Sequence, residues 1–173
     1  MPNIFDVANY FLTTLGTDEE SDLTHLKMQK LCAYAQGLSL SLLDRPLFLE
    51  ELEAWKHGPV VASLYDKFKE CGKLPLPPIQ MSEIEAREPF DDEQKFILEI
   101  TKEYYGSKSA PTLWKISHQD FPGKFKSKEV ISREKIKANF AHLPIVQKLK
   151  AYTPPASIKR FYSEAELLNA LRD

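Results

Sequence analysis

Apolar side chains recur along the chain at the three- and four-residue spacing of amphipathic helices. The first such stretch begins at Ile4 and stops before Gly16, a glycine placed to terminate a helix. The second runs to about Leu43, with Asp22 or Thr24 as its N-cap. Its apolar positions cover an unusually wide arc, so we expect this helix to lie at the centre of the fold.

Capping and breaking residues predict the remaining helices. Gly58-Pro59 is typical of a turn, and Pro59 suits the first position of a helix that carries Val60 to Phe68 and ends at Gly72. Asp91 and Gln94 have capping-box spacing and open a helix that stops at Gly106. Further helix starts are predicted at Ser109, Ser132, Pro144 and Ser163.

Between these helices the pattern leaves little room for β-structure. Short strands are predicted near residues 48–56 and 158–162, and four prolines mark an irregular connector over residues 73–89. We therefore predict a mainly α protein, a single compact multi-helix domain with at most a small β element.

Length and composition agree with one helical domain. The chain has 173 residues and a formal net charge of −2, which argues against a globally basic nucleic-acid binder. No apolar run is long enough to span a membrane, and the segment Met1 to Asp6 lacks the basic start of a signal peptide. Cys32 and Cys71 are predicted to be reduced thiols of a cytoplasmic protein.

Charge is distributed unevenly along the chain. Residues 1–106 carry 10 basic and 19 acidic side chains, whereas residues 107–173 carry 13 basic and 6 acidic ones, giving net charges of −9 and +7. Either the two halves attract each other within one domain, or the basic half forms an interaction surface. The densest basic run consists of Lys124, Lys126, Lys128, Arg133, Lys135 and Lys137. It is either a nucleic-acid patch or a solvated lysine-rich face.

Local motifs for chemistry are missing from the sequence. The four histidines and two cysteines show no metal-ligand spacing, and no glycine-rich phosphate loop is present. The carboxylates of Glu50, Glu51 and Glu53, together with His25 and His57, form one enzyme hypothesis; the alternative is a solvated acidic face. We predict no catalytic residue, no metal and no cofactor.

A longer set of motifs is more specific. In chain order it reads LKMQKL from Leu26, AQG from Ala35, PLF from Pro46, ELEAW from Glu51, GPVV from Gly58 and SLY from Ser63. This set closely resembles the Panacea domain of SocA-like antitoxins and of GepA-type proteins associated with phages and mobile elements. The resemblance covers roughly residues 5–141, which we take as the domain with the connector inside it. Residues 142–173 are then a C-terminal extension, packed on the domain or facing a partner.

The resemblance implies a non-enzymatic binding protein of a toxin–antitoxin system. Such a protein neutralises a toxin, encoded nearby, by direct contact; SocA-like members are also implied to act as adaptors that deliver the toxin to the ClpXP protease. The alternative is a phage or mobile-element regulator that contacts nucleic acid through the basic second half. The residues implied as partner-binding or signature positions are Lys27, Gln29, Lys30, Tyr34, Gln36, Glu53, Trp55, Gly58, Pro59 and Tyr65.

The signature also carries physical expectations. Lys27, Gln29 and Lys30 are not all expected to face the core of one helix, and the two lysines are candidates to pair with the acids of residues 50–53. Gln36, if buried, needs hydrogen-bond partners, for which the backbone of the Gly58-Pro59 turn is available. Trp55 and Tyr65 are each either core anchors or interface hot spots.

Overall fold

The computed structural model describes residues 1–16, 21–79 and 89–152. These ranges hold seven α-helices and one two-stranded antiparallel sheet, which confirms the mainly α class. In chain order the elements are α1 (Ile4–Leu15), α2 (His25–Leu42), β1 (Glu53–Trp55), β2 (Gly58–Val60), α3 (Ala62–Phe68), a 3-10 turn (Lys69–Cys71), α4 (Asp92–Tyr105), α5 (Ala110–Asp120), α6 (Arg133–Phe140) and α7 (Pro144–Tyr152).

Most helix starts lie where the capping residues placed them. Thr24, rather than Asp22, caps α2, and the Asp91–Gln94 capping box opens α4. Ser109 and Ser132 cap α5 and α6 through their hydroxyl groups. The strand predicted at 158–162, the helix start at Ser163 and part of the connector, residues 80–88, lie outside the described residues.

Helix α2 is the centre of the fold, as its wide apolar arc predicted. It packs against all the other α-helices and β2, and 16 of its 18 residues are buried. Lys27, Gln29 and Lys30 are therefore all buried, at 1%, 2% and 0% exposure, and the expectation that they would not all face the core is wrong. Because neighbours surround α2 on every side, this helix has no solvent face to receive polar residues.

The glycine of the AQG motif lets one neighbour approach α2 closely. A Cβ atom on Gly37 would lie 2.2 Å from a ring carbon of Phe140 on α6. The Phe140 ring is fully buried and also packs on Tyr34 and Phe121. Gly37 is thus required by packing, because any side chain there would displace an aromatic ring of the core.

Strand β1 lies within the strand predicted near residues 48–56, whereas the segment after it differs from its prediction. Glu53–Trp55 and Gly58–Val60 form a hairpin in which Ala54 lies opposite Pro59, so Pro59 is in a strand and α3 begins only at Ala62. The backbone of Ala54 points away from Pro59: its N–H donates to the Glu129 carbonyl, and its carbonyl accepts from Lys126 and Lys128. Pro59 therefore occupies a position that needs no N–H donor, where a strand tolerates proline.

The loop after α5 adds to the outer edge of this hairpin. Besides the bonds at Ala54, the Ile131 N–H donates to the Leu52 carbonyl at 2.7 Å, and Val130 forms a bridge with Glu53.

Farther along the chain, Ile145, Val146 and Leu149 of α7 are buried in the core.

Candidate functional site

The ten signature residues separate into two groups by burial. Three of them, Glu53, Trp55 and Tyr65, are half-buried on the hairpin and α3. The other seven are buried: Lys27, Gln29, Lys30, Tyr34, Gln36, Gly58 and Pro59. The buried group is held mainly by hydrogen bonds from α2 to the backbone of the segment that follows it.

Gln29 and Lys30 attach the hairpin to α2. The Gln29 carboxamide accepts the Val61 N–H at 2.9 Å and donates to the Val61 carbonyl at 3.2 Å. The Lys30 amine donates to the Pro59 carbonyl at 2.9 Å. These two residues, and not Gln36, bind the Gly58-Pro59 region, so that part of the prediction is wrong.

Gln36 fixes an earlier stretch of chain. Its carboxamide oxygen accepts the N–H groups of Leu47 and Phe48 at 2.8 and 3.3 Å, and its nitrogen donates to the Phe48 carbonyl at 2.9 Å. Gln36 is about two helical turns after Gln29, so it reaches a different part of the segment that runs along α2. The need for buried partners was predicted correctly, although the partners were not.

The two lysines do not pair with the acids of residues 50–53. Lys27 forms its ion pair with Asp22 at 2.6 Å, and the Lys30 amine donates to the neutral carbonyl of Pro59. Burial of the Lys30 amine lowers its pKa to about 7, because the ammonium form loses its hydration. Burial, and then the nearby charge of Lys30, also lowers the pKa of His25.

The Lys30 amine packs closely against Gly58. A Cβ atom there would lie 2.8 Å from the Ser117 hydroxyl and 2.9 Å from the Lys30 amine. Its φ of +97° also falls in the region that L-residues rarely adopt. Both the backbone and the contact require glycine at this position.

Tyr34 joins α2 to α4 and α5. Its hydroxyl donates to the Asp120 carboxylate at 2.6 Å, and its ring stacks on Tyr105 with centroids 3.9 Å apart. Burial, followed by the hydrogen bond to Asp120, raises the pKa of Tyr34. Burial also raises the pKa of Asp120, against the opposing effect of the Tyr34 hydrogen bond. This group therefore supports the core.

Two of the half-buried residues, Trp55 and Tyr65, form a surface with the exposed Lys126 and Lys128, and we name this surface the hairpin face. The Trp55 indole N–H donates to Glu53 at 2.7 Å, and its ring lies 4.8 Å from the Tyr65 ring. The Lys128 amine lies 4.7 Å from the centre of the Trp55 ring, a cation–π contact. Trp55 is therefore a surface aromatic supported from several sides rather than a residue of the deep core.

A second aromatic group lies beside the hairpin. The His118 ring contacts Trp114 and Phe125, with centroids 4.7 and 4.4 Å apart. The His118 ring nitrogens lie 2.7 Å from the Trp114 carbonyl oxygen and 3.2 Å from that of Lys56 in the hairpin turn. His118 thus connects α5 to the hairpin.

The six residues of the basic run have different surroundings. Arg133 donates to the Leu49 carbonyl at 2.6 Å, and Lys137 pairs with Asp44. Lys124, Lys126 and Lys135 are exposed, as is Lys128 beside Trp55. The run therefore splits between the hairpin and the turn that follows α2. Its closeness to Trp55 had no local signal, because more than 70 residues separate Trp55 from Lys128.

The residues of the enzyme hypothesis are also divided. Glu50 and Glu51 line a cleft of about 290 Å³, and Glu50 accepts the Ile4 N–H at 3.1 Å. Glu53 instead bonds to Trp55, and His25 is buried against Tyr65. His57 is exposed in the hairpin turn. Within the ranges 1–16, 21–79 and 89–152, no three His, Cys, Asp or Glu side chains form a group that could hold a metal.

Gln29, Lys30 and Gln36 form a buried polar row on α2, and the hairpin face lies at the surface. The protein is thus a helical protein built around one central helix. Residues 28–122 match the family described as antitoxin SocA-like, Panacea domain. The match covers more than half of the chain, from α2 to the end of α5, so the chain belongs to this family. The resemblance seen in the sequence is confirmed.

Comparisons with curated proteins and with solved structures found no match. Among the described residues, no helix has the length and apolar character needed to cross a membrane.

Proposed function

We propose that this protein is a non-enzymatic antitoxin that neutralises a protein toxin by direct, noncovalent contact through the hairpin face. The family supports an antitoxin-like role with a protein partner. The position of the binding surface is supported by the burial of the signature residues. Seven of them are buried and contact other parts of the fold, whereas Trp55 and Tyr65 lie at the surface.

The chemistry of the hairpin face suits a protein partner. Tryptophan and tyrosine supply large contact areas with few rotatable bonds, and they are enriched among the residues that dominate binding energy. Trp55 is held in place by Glu53, Tyr65 and Lys128, so binding would cost little ordering entropy. The toxin is encoded nearby and is made in the same cytoplasm.

Neutralisation by direct contact has two modes, of which the first is occlusion of the toxin. Delivery of the toxin to a ClpXP-type protease is the other mode that the family suggests. The two differ in the amount of toxin that remains. Occlusion leaves a stable one-to-one complex, whereas delivery lowers the toxin level only when the protease is present.

The test is a growth assay in which each small protein encoded next to this chain is expressed alone and then together with it. The wild-type chain is expected to restore growth against one of these proteins, and Trp55→Ala is expected to lose most of that rescue. Leu49→Ala is the control, because Leu49 is an exposed apolar side chain outside the hairpin face. Absence of rescue by the wild type, or equal rescue by both variants, contradicts the proposal.

A further inference from the structure

The loop that follows α5 is part of the hairpin's surface, although it lies beyond the residues that match the family. Three backbone hydrogen bonds fix it to Ala54: the N–H groups of Lys126 and Lys128 donate to the Ala54 carbonyl at 3.1 and 3.0 Å, and the Ala54 N–H donates to Glu129 at 2.9 Å. The Lys126 and Lys128 amines are therefore carried on a backbone that is fixed next to Trp55.

The backbone of these two lysines is strained. Lys126 has a φ of +88° and Lys128 a φ of +59°, values uncommon for residues other than glycine. Such conformations are energetically unfavourable, and they persist where surrounding structure holds them in place. Here the hydrogen bonds to Ala54 provide that support.

The charges at this surface are mainly positive. Lys56, Lys124, Lys126 and Lys128 are all exposed around Trp55 and the loop. Two acids belong to the paired segments: Glu53, whose carboxylate accepts the Trp55 indole N–H and keeps its charge, and the exposed Glu129. Among these residues the lysines outnumber the carboxylates, so together they attract a group of negative charge.

The arrangement of the rings favours protein carboxylates over nucleic acid. Single-stranded nucleic acid binds by stacking bases on free aromatic faces. The Trp55 ring is flanked by Tyr65 and by the Lys128 amine, and the Phe125 ring is in contact with His118. A base would have to displace these contacts, whereas a carboxylate can pair with the lysines from outside.

We propose that the hairpin face recognises an acidic segment of a protein, with its carboxylates at Lys126 and Lys128 and an adjacent apolar side chain against the parts of Trp55 and Tyr65 that stay exposed. This inference rests on the proposed function, since it specifies the chemistry of the partner at the same surface. Lys126 and Lys128 lie just beyond the residues 28–122 that match the family.

The test uses a displayed library of random 12-residue peptides, selected against the full-length protein at low salt. The selected peptides are expected to be enriched in Asp and Glu next to an aromatic or aliphatic residue. Their affinity is expected to fall about tenfold in the double variant Lys126→Glu/Lys128→Glu, because two exposed charge pairs are reversed. The matched control is Lys148→Glu/Lys150→Glu, which reverses two exposed lysines on α7.

Three results would overturn the inference: no peptide is enriched, the enriched peptides lack acidic residues, or both double variants bind them equally. A labelled twenty-residue oligothymidylate is tested in parallel. If it binds and competes with the peptides for Trp55, the surface is a nucleic-acid site instead. Circular dichroism confirms that each double variant is folded before its affinity is compared.

The growth assay separates this inference from the proposed function. If Lys126→Glu/Lys128→Glu rescues growth as well as the wild type does, the antitoxin proposal stands and the acidic-segment inference fails. If acidic peptides bind as expected but no neighbouring protein is neutralised, the surface chemistry stands and the antitoxin proposal fails.

Discussion

The buried polar residues of α2 and the two aromatic residues of the hairpin face all belong to the signature, yet they differ in what they contact. Gln29, Lys30 and Gln36 are buried, and their amide and amine groups bond to backbone atoms of residues 47–61. Trp55 and Tyr65 are half-buried, and Trp55 meets Lys128 from a distant part of the chain. A single sequence signature thus serves two purposes: its buried polar residues fix the backbone that follows α2, and Trp55 and Tyr65 lie at the surface.

The largest loss of stability is expected when the buried hydrogen bonds of Gln36 are removed. Gln36→Leu leaves the N–H groups of Leu47 and Phe48 and the Phe48 carbonyl without their partner. We expect a loss of about 4 kcal/mol in the free energy of unfolding, measured in urea. Gln147→Leu, on the exposed side of α7, is the control and should change stability by about 0.5 kcal/mol at most. A Gln36→Leu variant as stable as this control would contradict the structural role.

The next largest effect is expected at Gly37. In Gly37→Ala the new methyl group meets the Phe140 ring, and we expect a loss of about 3 kcal/mol from overpacking. Combining it with Phe140→Leu should cost less than the sum of the two single changes, since the smaller side chain relieves the contact. Strict additivity in urea unfolding would show that the two residues do not meet.

Because of Lys30, the free energy of unfolding is expected to depend on pH. Its pKa is lowered from 10.5 to about 7 in the folded protein, so the unfolded chain binds more protons between these values and stability rises with pH through that range. We expect a contribution of about 2 kcal/mol between pH 7 and pH 9. Lys30→Met should remove this rise, whereas Lys27→Met, which alters the lysine paired with Asp22, should retain it. Parallel pH profiles for the wild type and Lys30→Met would contradict the burial of the Lys30 amine.

The smallest effect on stability is expected at the hairpin face. Trp55→Ala removes a half-buried ring and a cation–π contact, and we expect it to cost about 1 kcal/mol. A loss as large as that of Gln36→Leu would mean that Trp55 belongs to the core. The hairpin face would then contribute to stability as much as the buried polar residues of α2 do.

Local signals determined how much of the fold was predictable. Helix starts at Thr24, Asp91, Ser109 and Ser132 depend on side chains that bond within one helical turn, so the sequence alone predicts them. Pro59 was assigned to a helix start because proline suits that position, although it equally suits the strand position opposite Ala54. The choice between them depends on the loop over residues 124–131, which no local pattern brings to the hairpin.

The site was predictable only in part for the same reason. That Gln36 needs hydrogen-bond partners follows from its place on a central helix. Which groups these are depends on the path of residues 47–48, and no local pattern predicts that path. The surface that Lys126 and Lys128 share with Trp55 is formed entirely by contacts between distant segments.

The most direct test of the central claim measures stability and toxin neutralisation together for Trp55→Ala. The account predicts a protein that unfolds cooperatively, with about 1 kcal/mol less stability, yet no longer restores growth against a toxin that the wild type neutralises. If this stable variant neutralises the toxin as well as the wild type does, the hairpin face is not the surface that binds it.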